Sequence, residues 1–194
     1  EAHQIMLASL SLSVLRRLAS AEGKLGVTLR QQILEHTFIL SNLAEIMDDN
    51  GSSHDLKQLA AEILKNLAMD RNTSEDIGHI RVIISSLMRE FLSQDPSSSR
   101  NCNHLLRKNA GHALAILAME STDNCLVMLM EPGYVFIREL TTMIHDNRYK
   151  CTAASLLWNM CEHAQPELSN SDLKELSYIL REVSCKFFCL FLID

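Results

Sequence analysis

The sequence predicts an all-α solenoid of about three helical repeats, with partial repeats at both ends, and three observations carry that prediction. First, one helix is written several times over. Leu59-Ala60-Ala61-Glu62-Ile63-Leu64-Lys65-Asn66-Leu67-Ala68 returns as Asn109-Ala110-Gly111-His112-Ala113-Leu114-Ala115-Ile116-Leu117-Ala118. It returns again as Thr152-Ala153-Ala154-Ser155-Leu156-Leu157-Trp158-Asn159-Met160-Cys161, with a fainter copy around Leu15. Leu15, Leu64, Leu114 and Leu157 are equivalent, and a period of about 40 to 50 residues in a helical chain marks a solenoid. Second, the chain is 47% hydrophobic but only 5% aromatic, so Leu, Ile, Ala and Met must fill the core, as helix-on-helix packing wants. Third, three prolines and six glycines are too few for a turn-rich β protein.

The elements follow in order. Apolar residues at 7, 10, 14, 15 and 18 give the first helix its spacing. Gly23 and Gly26 mark a break. One long helix is expected over about 29–47, closed by the polar loop at 48–53, and the first clear copy of the repeated helix over about 55–69. Thr73-Ser74-Glu75-Asp76 reads as an N-terminal cap opening a helix with Ile77, Ile80, Ile84, Leu87, Met88 and Phe91 on one face. A low-complexity loop at 94–99 precedes the second copy, at about 104–119. A short helix is expected at 124–130, a break at Pro132-Gly133, and a helix from 134 to 145. The third copy spans about 148–162 and a last helix about 171–184. The whole is one domain: partial repeat 1–24, repeats 25–70, 71–120 and 121–163, and partial repeat 164–194. The starting residue, Glu1, and the half-repeats favour a piece of a longer protein.

A net charge of −6, with no basic run longer than a pair, argues against nucleic acid as a partner. The six cysteines include no C-x-x-C pair, and several fall on apolar helix positions, which fits a reducing cytoplasmic or nuclear compartment. No signal peptide or membrane span is read, and the apolar run at 187–193 is too short to cross a bilayer. That run is β-prone, and it needs a cap, a partner or a following segment to cover it.

Ala60-Ala61-Glu62-Ile63-Leu64-Lys65-Asn66-Leu67-Ala68 resembles the third helix of an armadillo repeat. Pro132-Gly133 followed by Tyr134-Val135-Phe136-Ile137-Arg138-Glu139-Leu140 resembles the start of the second helix, and the segment at 124–130 would be the first. The wording Gln31-Gln32-Ile33-Leu34-Glu35-His36 is similar to plant armadillo-like proteins. The resemblance covers nearly the whole chain and implies a right-handed α-superhelix, armadillo or HEAT-like.

In nuclear-import adaptors of that family, third helices line a concave groove with Trp and Asn four residues apart, which hold extended basic peptides. Carried over residue by residue, the Asn positions hold Arg17, Asn66, Ile116 and Asn159, and the Trp positions hold Ser13, Glu62, His112 and Ser155. Two Asn are kept and no Trp is, so an import role is not implied. Trp158 lies beside the ladder and is expected to face the core or a neighbouring helix. The row continues with Ser20, Met69, Met119 and Glu162.

Chemical readings are weak beside this. Cys161 and His163, two apart on a helix, diverge, and read as a core thiol and a solvent-facing imidazole. Cys102 and His104 make one loose Cys-x-His, short of a zinc motif. Asp48-Asp49-Asn50-Gly51 lacks the alternating oxygens of a calcium loop. Ser97-Ser98-Ser99 reads as a solvated linker before it reads as a phosphorylation target. Met128 and Met130 read as core; Met69 and Met119 fit either core or an adaptable groove.

The expected function is therefore a protein-interaction scaffold, not an enzyme. It takes no cofactor, metal or small-molecule substrate, and binds a protein or peptide segment along the concave row. Arg17, Glu62, Asn66, His112, Asn159 and Glu162 are the candidate polar contacts, with the apolar C-terminal run as a second contact surface. The alternatives are the substrate-docking region of a larger multidomain protein, such as a ubiquitin ligase, and an independent thiol or metal enzyme.

Overall fold

The computed structural model describes residues 2–93, 102–119 and 121–191. Among them the regular structure is entirely helical. The α-helices are α1 (Ala2–Ala19), α2 (Gly23–Glu35), α3 (Thr37–Asp48), α4 (His54–Leu67), α5 (Arg71–Gly78), α6 (Arg81–Leu92), α7 (Cys102–Ala118), α8 (Thr122–Leu129), α9 (Phe136–Met143), α10 (Lys150–His163) and α11 (Asn170–Phe191), with a 3₁₀ turn at Gln165–Glu167.

Local chemistry sets several boundaries. Gly23 opens α2 at φ +68° and Gly133 turns between α8 and α9 at φ +89°, a region that side chains disfavour. Ser53 caps α4 by accepting from Leu56 N at 3.3 Å, and Ser121 caps α8 by accepting from Asn124 N at 3.2 Å. Before α11, Ser169 Oγ accepts from Asp172 N while Asp172 Oδ2 accepts from Ser169 N, a reciprocal cap.

Two expected helices are each broken. The 29–47 helix divides at His36, whose backbone leaves helical geometry at ψ 86°. The helix expected to open at Thr73 instead begins at Arg71 after Asp70, ends at Gly78 and restarts at Arg81, with Ile80 at ψ 85°. The expected two-helix pattern for 25–120 is thus three helices per unit: α2–α4, α5–α7, and likewise α8–α10. Helix α11 runs on through Phe191, so the 187–191 segment is helical rather than extended. The expected Ser97–Ser99 linker lies outside the described residues.

The four copies of the repeated helix, α1, α4, α7 and α10, each contact the next. Small residues allow the approach. Ala60, Ala110 and Ala153 are fully buried, as are Leu64 and Leu114. Gly111 abuts Phe91 so closely that a Cβ would meet its ring. Helix α6 packs between α3 and α7 and contributes Ile83, Ile84, Leu87 and Phe91 to one continuous apolar core.

Side chains from neighbouring helices staple helix C-termini, where carbonyls lack intrahelical donors. Arg30 Nη1 donates to Ala19 O at 3.1 Å and to Ala21 O at 2.9 Å, at the end of α1, and its Nε meets Asp70 Oδ2 at 2.6 Å. Arg89 Nη2 donates to Met47 O of α3 at 2.9 Å. Arg107 Nε donates to Phe91 O of α6 at 2.6 Å, with its guanidinium 4.5 Å from the Tyr149 ring centre. Asn124 Nδ2 donates to Leu117 O of α7 at 2.7 Å.

Candidate partner-binding surface

The residues just past α4 and α7 come together to shape a cleft. Met69 follows α4 and Met119 follows α7, and their side chains are 59% and 58% exposed. Ile116 and Val127 add apolar surface between them. Helix α5 and the start of α8 form the walls, enclosing about 780 Å³. Arg71 and Glu75 stand on the α5 wall 3.9 Å apart, Arg81 opens α6, and Asp123 lies in the first turn of α8. The cleft thus has an apolar floor and a rim carrying both signs of charge. A Cβ at Gly78 would meet the Asn124 amide, so glycine there leaves that amide room for its hydrogen bond to Leu117 O.

The six predicted contacts are spread along the row, on α1, α4, α7 and α10. Arg17 and Glu162 are exposed. Glu62 is half-buried and meets Arg16 of α1 at 3.5 Å. Asn66 is 6% exposed, and its Nδ2 has no hydrogen-bond partner. Asn159 is also buried, and its Nδ2 donates to Ala115 O at 3.2 Å, tying α10 to α7. The two ladder asparagines therefore differ: one amide is engaged within the fold and the other holds a buried donor in reserve. None of the six lines the cleft, which sits one turn beyond Asn66. The row pattern reached Met69 and Met119, but the α5 and α8 walls carry no sequence signature.

His112 is half-buried between α4 and α7. Burial lowers its pKa, and the Lys108 and Lys65 charges lower it further. The unfolded chain therefore holds this proton more tightly than the folded chain. The stability tied to neutral His112 is complete above about pH 6.5 and is lost as pH falls through the folded value. Urea midpoints should fall between pH 7.5 and 5 by more in the wild type than in His112→Gln; equal falls in both would contradict this.

Three expectations about side-chain placement are corrected. Trp158 is 68% exposed instead of facing the core or a neighbouring helix, and Met130 is exposed where Met128 alone is core. Cys161 is exposed and His163 half-buried, the reverse of the expected arrangement. Partial desolvation by neighbouring atoms raises the thiol pKa of exposed Cys161, and burial pushes Cys125 up to about 12, away from the reactive thiolate range. Among the described residues no three His, Cys, Asp or Glu side chains gather where they could hold a metal ion. No described helix is long and apolar enough to cross a membrane. Comparison of the chain with protein-family models gives no match, and comparison with curated proteins gives none either.

Proposed function

We propose that this chain is a right-handed α-solenoid of the armadillo type and acts as a protein-interaction scaffold, holding a partner segment along the concave side of its repeated helices. The observation that carries this reading is the Met69–Met119 cleft at equivalent ends of α4 and α7. Two flexible thioethers left exposed at matching repeat positions suit a surface that repacks around a partner's apolar side chains. The mixed rim favours an amphipathic peptide over a polymer of single charge. The ladder row leads into the cleft from Glu62 and Asn66, and a partner's backbone carbonyl would satisfy the Asn66 amide after a side-chain rotation. Helices fixed by core packing lower the ordering cost on the receptor side.

A peptide-display selection on the wild-type chain, counter-selected on Met69→Glu/Met119→Glu, tests it. Both positions are exposed, so the variant should keep the wild-type melting curve. Peptides retained by the wild type should bind the double variant at least about tenfold more weakly, a loss of about 1.4 kcal/mol. Unchanged affinity in the folded double variant would remove the cleft from the binding surface.

A further inference from the structure

Taking the cleft as the binding surface, we propose that the partner segment carries a carboxylate, which seats among Lys65, Lys108 and His112 at the junction of α4 with α7 while the segment's apolar side chain fills the cleft. Equivalent positions at successive junctions point to that seat. At α1–α4, Arg16 meets Glu62 at 3.5 Å, so a cation on one repeated helix is answered by a carboxylate on the next. Counted from the equivalent leucines, the same two positions at α4–α7 hold Lys65 and His112. An imidazole replaces the carboxylate, and the cation remains. Lys65 Nζ turns instead to the Asn109 amide oxygen at 3.4 Å, a neutral acceptor. Lys108, exposed one turn before His112 on α7, adds a second ammonium. Glu62, on the preceding turn of α4, is engaged by Arg16 of α1. Among the described residues no carboxylate pairs with either lysine. At α7–α10 the two positions hold Ala115 and Ser155, which carry no charge.

The seat is an interior feature of the row, since α4 has α1 against it and α7 has α10 against it. Both lysines stand close enough to half-buried His112 to disfavour its protonation, as a local positive field does. Partial burial of Lys65 and His112 reduces the screening of that field by water. A carboxylate placed there would do for α4–α7 what Glu62 does for α1–α4. The distance from seat to cleft then sets the partner's register. Lys108, His112, Ile116 and Met119 follow one another along one stripe of α7, and the last two line the cleft. Asn109, which Lys65 reaches, lies about 10–15 Å of helix from Ile116 and Met119. An extended segment spans that length in roughly three to five residues. The partner so defined is acidic at one point and apolar a few residues away.

A random peptide library selected on the wild-type chain supplies the probes, and fluorescence polarisation measures their affinities. Retained peptides should carry Asp or Glu roughly three to five residues from a large apolar side chain. Replacing that acid with its amide should weaken binding to the wild type by at least about tenfold, and Lys65→Gln/Lys108→Gln should weaken the parent peptide as much. On the lysine variant the amide peptide should bind as well as the parent, because the charge pairing is already gone. Raising salt from about 0.05 to 0.5 M should weaken the parent peptide on the wild type far more than on the lysine variant. Melting curves verify the fold, and the amide peptide tests the same pairing on an unaltered protein. Peptides that bind the lysine variant and the wild type equally, yet lose affinity for Met69→Ser/Met119→Ser, would overturn the carboxylate seat and leave the cleft standing. So would a selection of apolar peptides with no acid at that spacing. Peptides that lose affinity for the lysine variant alone would keep the seat and remove the cleft.

Discussion

Replacing Arg30 with alanine should lower the unfolding free energy by about 3 kcal/mol. Arg30 is 8% exposed, and its guanidinium makes three contacts at once: two to carbonyls, at the last residue of α1 and just past it, and one to Asp70, which precedes α5 forty residues along the chain. Removing it strands a largely buried carboxylate and two carbonyls whose helix offers no donor. Arg30→Lys should recover only part of the loss, because an ammonium cannot span the same fork of acceptors. Asp70→Ala combined with Arg30→Ala should cost less than the two single changes added together, since the double variant leaves no unpaired charge. Urea unfolding of the four proteins measures this. Additive losses would mean that Arg30 and Asp70 do not act as a pair.

Leu114→Ala should cost about 2–5 kcal/mol. Leu114 is fully buried at the middle of α7, the helix that contacts α4, α6 and α10, so its removal leaves a cavity walled by several helices. The spread in cost reflects how far those walls relax. Met119, just beyond the end of the same helix, provides the contrast: Met119→Ala should stay within about 0.5 kcal/mol, because its side chain is exposed. Thermal or urea unfolding of the two variants decides the point, and equal losses would contradict the assignment of α7 as the centre of the core.

The all-helical architecture was legible because the same alanine and leucine pattern recurs, and a pattern that recurs in sequence must bury the same face each time. Ala60, Ala110 and Ala153 recur at one position of that pattern, and all three are buried. The break at His36 was not legible: the position holds neither proline nor glycine, and apolar periodicity runs straight through it. At the second break Gly78, the last residue of α5, was a signal, but the apolar periodicity from Ile77 to Ile84 hid it. There the chain bends to pack against its neighbours, and propensity does not record that. The staples were hidden for a related reason. Arg30, Arg89 and Arg107 look like solvated charges on helical faces, and their carbonyl partners lie on other helices.

Trp158 shows the limit of reading burial from hydrophobicity, since large apolar side chains also stand on surfaces. For the candidate site, the repeat alignment led to Glu62, Asn66, Met69 and Met119, but it could not separate an engaged amide, at Asn159, from an unengaged one at Asn66. That difference depends on the distance to a neighbouring helix.

The most direct measurement of the proposed binding surface is a methyl spectrum of the methionine-labelled chain, titrated with a selected peptide. The nine methionines report from both core and surface. The cleft reading expects the Met69 and Met119 methyl signals to move together and saturate with the binding curve, while those of buried Met47, Met88 and Met160 stay still. Saturable binding that leaves Met69 and Met119 unmoved would place the partner elsewhere and leave the row of repeated helices as framework alone.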